Sequence, residues 1–273
     1  MRQGIVRRAT AVVLAAGSVG MVAACGSDDS GDTTSADSAD AKLTAGCAAD
    51  KNISDGINQF FQSTPALQSG KPPTKAQLPQ VQANYDKYVA GPLAQVVQNA
   101  PAELKADVTA AGNAVKQLRA TGSPEQLGSP AVQRAGSNID GYYFKNCPGQ
   151  KAAITGVDYA FGGVKPTYAP GAIRFQFVNK GKEDHEMVIV KKKPGTTESF
   201  DQLLKLPESQ TRSKVQFLGS AEGGPGTTNY LAASLTKGDY LMLCSITKGT
   251  TPGKEGKGPP HFVLGMKNEF SVQ

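Results

Sequence analysis

The chain is poor in the side chains that build most catalytic and metal centres. Its 273 residues include no tryptophan, two histidines and four cysteines. So few ligands exclude a protein with several zinc sites, and four cysteines exclude a disulfide-dense scaffold. Lys and Arg exceed Asp and Glu by only six, and these charges are dispersed, which argues against a nucleic-acid partner. The length predicts one or two domains, at roughly 100–200 residues each, and 39% hydrophobic residues can fill their cores.

The N-terminus has the composition of an export signal. Three arginines precede an uncharged apolar stretch over 9–24, which is shorter than the about 20 residues of a spanning helix. The stretch ends in VAAC, which resembles the lipobox of bacterial lipoproteins, with the obligatory cysteine at Cys25. We expect a signal peptide over 1–24, an acyl (palmitate) anchor on Cys25 and attachment to the extracytoplasmic face of the cell membrane. An ordinary secretion signal and a short uncleaved anchor are the alternatives.

Residues 25–44 are predicted to form a disordered tether. Beyond the cysteine they are mostly Gly, Ser, Thr, Asp and Ala without an aromatic residue, so they bury too little apolar surface to offset their ordering entropy. Removal of the signal peptide with its three arginines would lower the net charge from +6 to +3. This weakens the case for nucleic acid further.

Residues 45–148 predict a bundle of four helices. Apolar residues recur at helical spacing in four segments that begin near residues 49, 76, 101 and 129, and Pro92 is expected to kink or divide the second. In an up-down bundle, the start of the first helix and the end of the fourth lie at the same end. The segment contains no histidine and no catalytic constellation. Four of its aromatic residues are expected in the core: Phe60, Phe61, Tyr142 and Tyr143.

The remaining cysteines suggest one disulfide and one free thiol. If Cys25 is lipidated, three cysteines are left in a protein that meets oxidising conditions after export. Cys47 and Cys147 bracket the predicted bundle, whereas Cys244 lies about a hundred residues later. We therefore predict a Cys47–Cys147 disulfide and a free Cys244.

Residues 150–273 predict a β-sandwich, because short alternating apolar runs are separated by Gly- and Pro-containing turns. A short helix is predicted over Ser199–Leu206, and the cluster Lys191–Lys193 is interpreted as a solvated strand end or, alternatively, a docking patch for an acidic partner. The predicted fold class is therefore α+β in two domains. The predicted strands are Ala153–Tyr159, Ala172–Asn179, Glu186–Lys191, Lys214–Leu218, Thr228–Ser234, Gly238–Ser245 and Lys267–Val272.

Two segments of this region resemble a known family. FQFVNKGKEDHEMVIVK and GDYLMLCSI…PPHFVLGMKNEFSV are similar to the two halves of the copper site in cupredoxins of the plastocyanin/azurin type, and most similar to the cupredoxin-like domains of actinobacterial lipoproteins. The resemblance implies a Greek-key sandwich and one type-1-like copper site. It implies four copper ligands, His185, Cys244, His261 and Met266, and a loop-fastening role for Asn179.

The chemistry of these side chains supports the resemblance. A thiolate, two imidazoles and a long axial thioether form the blue-copper ligand set. Both histidines of the chain and its one cysteine outside the predicted disulfide and lipidation sites fall at the required positions. Two further methionines, Met187 and Met242, are expected in the core. Three acids flank the first histidine and are interpreted as solvated charge, with an accessory ligand as the alternative: Glu183, Asp184 and Glu186.

One feature departs from the family pattern. Sixteen residues, Ser245–Pro260, separate Cys244 from His261, where typical members have a few. This Gly-, Pro- and Lys-rich insert is expected to be flexible, and it leaves the tightness of the site open.

Three classes of function remain after this reading of the residues. Copper binding for electron transfer is favoured, and copper handling, in which the long loop opens to load or release the ion, is the second expectation. A metal-free interaction module that binds an envelope protein partner is the alternative from a different class. An enzyme is the least expected, because a single type-1 site shuttles electrons and usually performs no bond chemistry.

Overall fold

The computed structural model describes residues 35–68 and 72–273, and the chain divides into two compact units between Cys147 and Pro148. The predicted signal peptide, the predicted lipidation site Cys25 and residues 25–34 of the predicted tether lie outside the described residues. Among the helices of the described part, none combines the length and the hydropathy needed to cross a membrane.

The first unit is helical, and four helical segments correspond to the four predicted helices. A π-helical turn, Asp86–Ala90, joins the third and fourth helices into one continuous segment, and 3₁₀ turns at Ala102–Leu104 and Glu125–Gly128 precede the last two. The helices are α1 (Ser35–Gln62), α2 (Pro65–Gln68), α3 (Leu78–Tyr85), α4 (Gly91–Asn99), α5 (Lys105–Thr121) and α6 (Pro130–Asn146).

Helix α1 begins earlier than the sequence predicts. It starts at Ser35, so residues 35–44 are helical, and the prediction of a disordered tether is wrong for this part. The physical reason is local. The segment SADSADAKL is rich in alanine, the residue with the best helix propensity. Low hydrophobicity alone does not prevent a helix that continues into a buried segment.

The π-helical turn lies where Pro92 was expected to kink the second helix. Proline has no N–H, so the carbonyl of Tyr88, four residues earlier, loses its normal helical partner. Gly56 of α1 lies against this carbonyl, and a Cβ at position 56 would come within 2.3 Å of the Tyr88 oxygen. A glycine is therefore required for α1 to approach the irregular turn this closely.

The disulfide Cys47–Cys147 is present and joins α1 to the end of α6, as predicted. The core of the unit contains the four aromatic residues assigned to it. Phe60 and Tyr143 are fully buried, and Phe61 and Tyr142 are partly buried against the same cluster.

The second unit is a sandwich of two sheets, so the α+β class is confirmed. One sheet has the strand order β2-β1-β4-β7 and the other β3-β9-β8-β5-β6. Alternate residues of β4, Ile173, Phe175 and Phe177, are buried because a strand points successive side chains to opposite faces. The strands are β1 (Gln150–Val157), β2 (Ala160–Gly162), β3 (Thr167–Tyr168), β4 (Gly171–Asn179), β5 (His185–Lys192), β6 (Val215–Gly223), β7 (Thr228–Leu235), β8 (Gly238–Leu243) and β9 (Lys267–Val272).

All seven predicted strands have counterparts, and the two that the sequence missed, β2 and β3, are two or three residues long. Between β5 and β6 lie two short helices, α7 (Phe200–Leu203) and α8 (Glu208–Lys214). The predicted helix corresponds to α7, which Ser199 begins with a capping box, and α8 was not predicted.

The topology brings several strand ends to one edge of the sandwich. In the second sheet β5 pairs antiparallel with β8, and β8 with β9, so the start of β5 lies near the end of β8 and the start of β9. In the first sheet β1 runs parallel to β4, with Gly156 opposite Asn179. The residues that follow β1 and β4 therefore lie close together as well.

Candidate metal centre

Three donor side chains meet at this edge. His185 begins β5, Cys244 follows β8, and His261 begins a 3₁₀ turn, His261–Leu264, that precedes β9. The Nδ1 atoms of the two histidines are 3.0 Å apart, and the Cys244 sulfur is 3.3 Å from the His261 Nδ1. The three donor atoms all lie within 4.8 Å of one another, and none of the three residues has exposed surface.

Met266, the predicted fourth ligand, lies beside this group. It is fully buried and packs in one small cluster with Cys244 and Ile246. The Cys244 N–H donates to the Met266 carbonyl at 3.1 Å, and the Met266 N–H donates to the His261 carbonyl at 3.0 Å. These bonds connect the backbones of three predicted ligands directly.

The other two methionines belong to the core, as expected. Met187 and Met242 are fully buried in the main cluster between the sheets. Neither belongs to the small cluster that contains Cys244.

Each histidine is held from behind by a carboxylate. The Nε2 atom of His185 is 2.7 Å from Asp158, and the Nε2 atom of His261 is 3.0 Å from Glu183. An ionised carboxylate only accepts hydrogen bonds, so each Nε2 carries the proton. Each Nδ1 then keeps its lone pair free for a metal ion.

The carboxylates have other partners that keep them ionised. The Lys182 N–H donates to both oxygens of Asp158, while the Gly249 N–H and the Tyr159 hydroxyl donate to Glu183 at 2.5 and 3.0 Å. Burial raises the pKa of each carboxyl, but these hydrogen bonds and the adjacent histidine outweigh it, and both pKa values lie below their ordinary range. Both groups are therefore anionic at neutral pH.

The site also shifts the pKa values of the rings around it. Burial lowers the pKa of His261, although Glu183 opposes this effect, so the imidazole is neutral as a ligand must be. Burial and the hydrogen bond to Glu183 raise the pKa of Tyr159 to about 12. The Tyr159 ring lies against His261, with their centroids 4.8 Å apart.

The insert between Cys244 and His261, expected to be flexible, folds into a compact loop with its own hydrogen bonds. Isolated antiparallel β-bridges pair Thr247 with Pro260 and Thr251 with Lys254. The buried hydroxyls of Thr247 and Thr250 lie 3.2 Å apart. The loop is also fixed to the segment before β5, because the Asp184 N–H donates to the Thr250 carbonyl at 2.8 Å. The Gly249 N–H ties it in addition to Glu183, the carboxylate that contacts His261.

Two further residues support the ligands. Asn179 fastens the approach to His185, as the resemblance implied, since its amide donates to the carbonyls of Glu183 and Gly223, each at 2.8 Å, and its oxygen accepts from the Gly181 N–H. The Glu186 N–H points to the Cys244 sulfur at 3.4 Å, and its carboxylate accepts from Ser245.

The interpretation of the flanking acids as solvated charge is wrong. Glu183 accepts a hydrogen bond from His261, Asp184 is buried and Glu186 binds Ser245. The reason is the folded insert, which covers a segment that would otherwise be exposed. Neither Glu183 nor the other two belong to the group of converging donor atoms.

Asp158 was missed entirely. It lies 27 residues before His185 in sequence, and only the parallel pairing of β1 with β4 brings the two together. An acidic residue directly after a predicted strand is a common pattern, so the sequence around Asp158 did not identify it as a partner of His185.

The donor set fits a copper ion. Ligands that share one first-row metal ion at about 2.0–2.3 Å lie roughly 3–4 Å apart. The His261 Nδ1 lies at such distances, 3.0 and 3.3 Å, from the His185 Nδ1 and the Cys244 sulfur, and all three donor atoms lie within 4.8 Å of one another. A thiolate with two imidazoles and a nearby thioether is the combination that distinguishes blue copper from other metal sites.

Comparison with solved structures matches the C-terminal half of the chain to copper proteins at low similarity. Auracyanin from Roseiflexus castenholzii is 20% identical, over 46% of this chain and 98% of that one, with a TM-score of 0.31. Auracyanin A from Chloroflexus aurantiacus, described as a "blue" copper protein, is 20% identical over 45% and 98% of the two chains, with a TM-score of 0.30. Rusticyanin from Thiobacillus ferrooxidans is 16% identical over 46% and 79%, with a TM-score of 0.28.

No protein-family model and no curated protein matches the chain. The assignment of a metal below rests on the geometry of the ligand atoms.

Proposed function

We propose that the C-terminal unit binds one copper ion through His185, Cys244 and His261, with Met266 as the weak fourth ligand, and that it carries electrons. The single observation behind the proposal is the convergence of two Nδ1 atoms and one thiol sulfur in a fully buried position. Bound copper would supply a one-electron Cu(II)/Cu(I) couple, reduced by a donor protein and reoxidised by an acceptor protein.

The surroundings favour a carrier over copper handling. Each of the three converging donor residues has a second contact, to Asp158, Glu183 or the Glu186 N–H. The insert is itself tied to Glu183 through the Gly249 N–H. A site held this firmly changes little between two oxidation states, which suits fast electron transfer. We also propose that the protein is not an enzyme, because a single type-1 site shuttles electrons and usually performs no bond chemistry.

A short apolar surface next to His261 supports exchange with a protein partner. Val263 and Leu264, on the same 3₁₀ turn, are 61% and 39% exposed. Apolar side chains that remain exposed beside a buried centre are suited to a transient contact.

Copper titration of the full chain without its signal peptide, and with Cys25 replaced by Ser, tests the metal assignment. We expect one equivalent of Cu(II) to give an intense visible band from sulfur-to-copper charge transfer, removed by ascorbate and restored by ferricyanide. Cys244→Ser should abolish the band, and the control variant Ser213→Ala, at an exposed serine of α8 outside the site, should retain it. A wild-type protein that retains no copper at equimolar concentration would overturn the proposal in favour of the metal-free interaction module.

The same titration separates electron transfer from handling. Colourless binding of Cu(I) without a reversible redox wave would favour handling.

We further propose that the mature protein is a lipoprotein, anchored through Cys25 at the extracytoplasmic face of the membrane. The support is the lipobox resemblance and the preceding apolar stretch. Mass spectrometry of the N-terminal peptide should show an acylated Cys25, and Cys25→Ala should leave the protein unprocessed. An unmodified cysteine in the mature protein would refute the anchor.

A further inference from the structure

Two carboxylates, Asp158 and Glu183, approach the candidate site from outside the ligand set. They reach it from different places, since Asp158 follows β1 and Glu183 precedes β5, yet both end on an Nε2 atom. The sandwich thus presents the same arrangement twice, a carboxylate, an imidazole and a converging Nδ1. Such partners fix the tautomer and the orientation of a histidine ligand and raise its basicity.

Both contacts are built into the fold. Asp158 is anchored by the Lys182 N–H, and Glu183 by the Gly249 N–H and the Tyr159 hydroxyl. The side chains of Asp158 and Glu183 are 27% and 16% exposed, so water screens them only in part. Gly181 leaves the space for the first pair, because a Cβ there would come within 2.3 Å of the Asp158 oxygen and 2.4 Å of the His185 Nε2.

The charges have a defined effect on a bound ion. One thiolate and two neutral imidazoles bring a single negative charge, so the centre would carry +1 with Cu(II) and zero with Cu(I). Two further negative charges, each one imidazole away, attract the more positive state more strongly, and partial burial strengthens the attraction.

We propose that Asp158 and Glu183 are positioning residues, which aim both imidazoles at the copper and whose charges favour Cu(II) over Cu(I). The inference rests on the proposed function and adds that the two carboxylates lower the reduction potential of the copper centre. A less easily reduced centre would pass electrons to acceptors that a site without the carboxylates could not reduce.

The test compares variants that remove the charge of either carboxylate with a control variant at a carboxylate far from the site. Asp158→Asn, Glu183→Gln and the double variant keep an oxygen that can accept the Nε2–H, but they lose the charge. Asp239→Asn, a 67% exposed carboxylate at the start of β8, is the matched control. For each protein the affinities for Cu(II) and Cu(I) are measured by competition with chelators, and the reduction potential by voltammetry.

We expect each single variant to bind Cu(II) about 10–100-fold more weakly. Cu(I) affinity should change less, so the potential should shift upward, further in the double variant, while the control matches the wild type. Asp158→Ala and Glu183→Ala, which also lose the acceptor, should in addition alter the visible band.

The possible outcomes distinguish a failure of this inference from a failure of the proposed copper function. If the wild type binds copper with a reversible redox wave but the charge-removing variants have the same reduction potential as the wild type, the role of the carboxylates is overturned and the copper site stands. If the wild type binds no copper, both are overturned. If one of the two single variants does not fold, as judged by circular dichroism, the other decides.

Discussion

The two units of this chain use the same scarce residues in opposite ways. The helical unit uses two cysteines to close a covalent bond across 100 residues, and its described part contains no histidine. The sandwich leaves its cysteine reduced and buried, with both histidines of the chain around it. The first arrangement restrains the chain, and the second brings three electron-rich donor atoms together at one buried position. A protein can therefore separate its stability from its chemistry by where it places a few reactive side chains.

The largest effect is expected from removing the disulfide. Cys47→Ala with Cys147→Ala releases a loop of 100 residues and should lower the free energy of unfolding of the helical unit by about 3–5 kcal/mol. Denaturant unfolding followed by circular dichroism measures this loss. The visible band of the copper-loaded sandwich should be unchanged, so a loss of colour would break the separation between the units.

The next effect concerns the close contact between α1 and the π-helical turn. Gly56→Ala should destabilise the helical unit by about 1–3 kcal/mol, because the new Cβ meets the Tyr88 carbonyl and the backbone must move. Gly128→Ala, with open space around the added Cβ, is the control in the same unit. Equal unfolding midpoints for the two variants would show that α1 and the Tyr88 carbonyl leave room for a Cβ at position 56.

Gly181→Ala is the corresponding change in the sandwich, and it should act on the site. The added methyl would enter the space between Asp158 and His185 and separate them. We expect Cu(II) affinity to fall about 10–100-fold, while the unfolding midpoint of the sandwich changes little. Gly195→Ala is a poor control, since its φ is +82°, and Ser213→Ala on α8 serves instead. A folded Gly181→Ala protein with unchanged affinity would contradict the role of this contact.

The smallest effect is expected at the exposed Arg119–Asp86 pair, which joins α5 to the π-helical turn at 2.7 Å. Its hydrogen bond to Arg119 lowers the pKa of Asp86 from 3.8. The pair's contribution is therefore fully present above the pKa of the unfolded carboxyl and is lost as the pH falls through the lower, folded pKa.

Arg119→Ala should remove this acid-dependent part of the stability of the helical unit, and its effect on the free energy of unfolding should be smaller than that of Gly56→Ala. High salt should reduce the difference between variant and wild type. A difference that persists in high salt would indicate lost packing by the arginine stem instead.

The sequence predicted most of the elements because their signals are local. The periodicity around Ile53, Ile57 and Phe60 and the alternation in β4 report which face is buried, whatever the partner. The disulfide followed from two cysteines that bracket one helical region. The boundaries of α1 and the short strands β2 and β3 were missed, because helix propensity and pairing at a sheet edge leave little trace in hydrophobic pattern.

The candidate ligands were also predictable, because the chain has only two histidines and only one cysteine outside the disulfide and the predicted lipidation site. Their environment was not. Glu183 was interpreted as solvated, and Asp158 was overlooked, since nothing near either residue in sequence reveals the histidine that it contacts. The insert was expected to be flexible, because its composition does not reveal the hydrogen bonds of Thr247 and Thr250.

What the sequence determined by itself is the set of donors, the pairing of two cysteines and the two kinds of unit, since these depend on residue type and local period. Only the tertiary structure decided that two Nδ1 atoms and one sulfur converge, and that a carboxylate lies behind each imidazole. Such contacts join residues up to 78 positions apart, and the parallel pairing of β1 with β4 and the folded insert create them. Distances of this kind are properties of the packed sandwich, which no local pattern encodes.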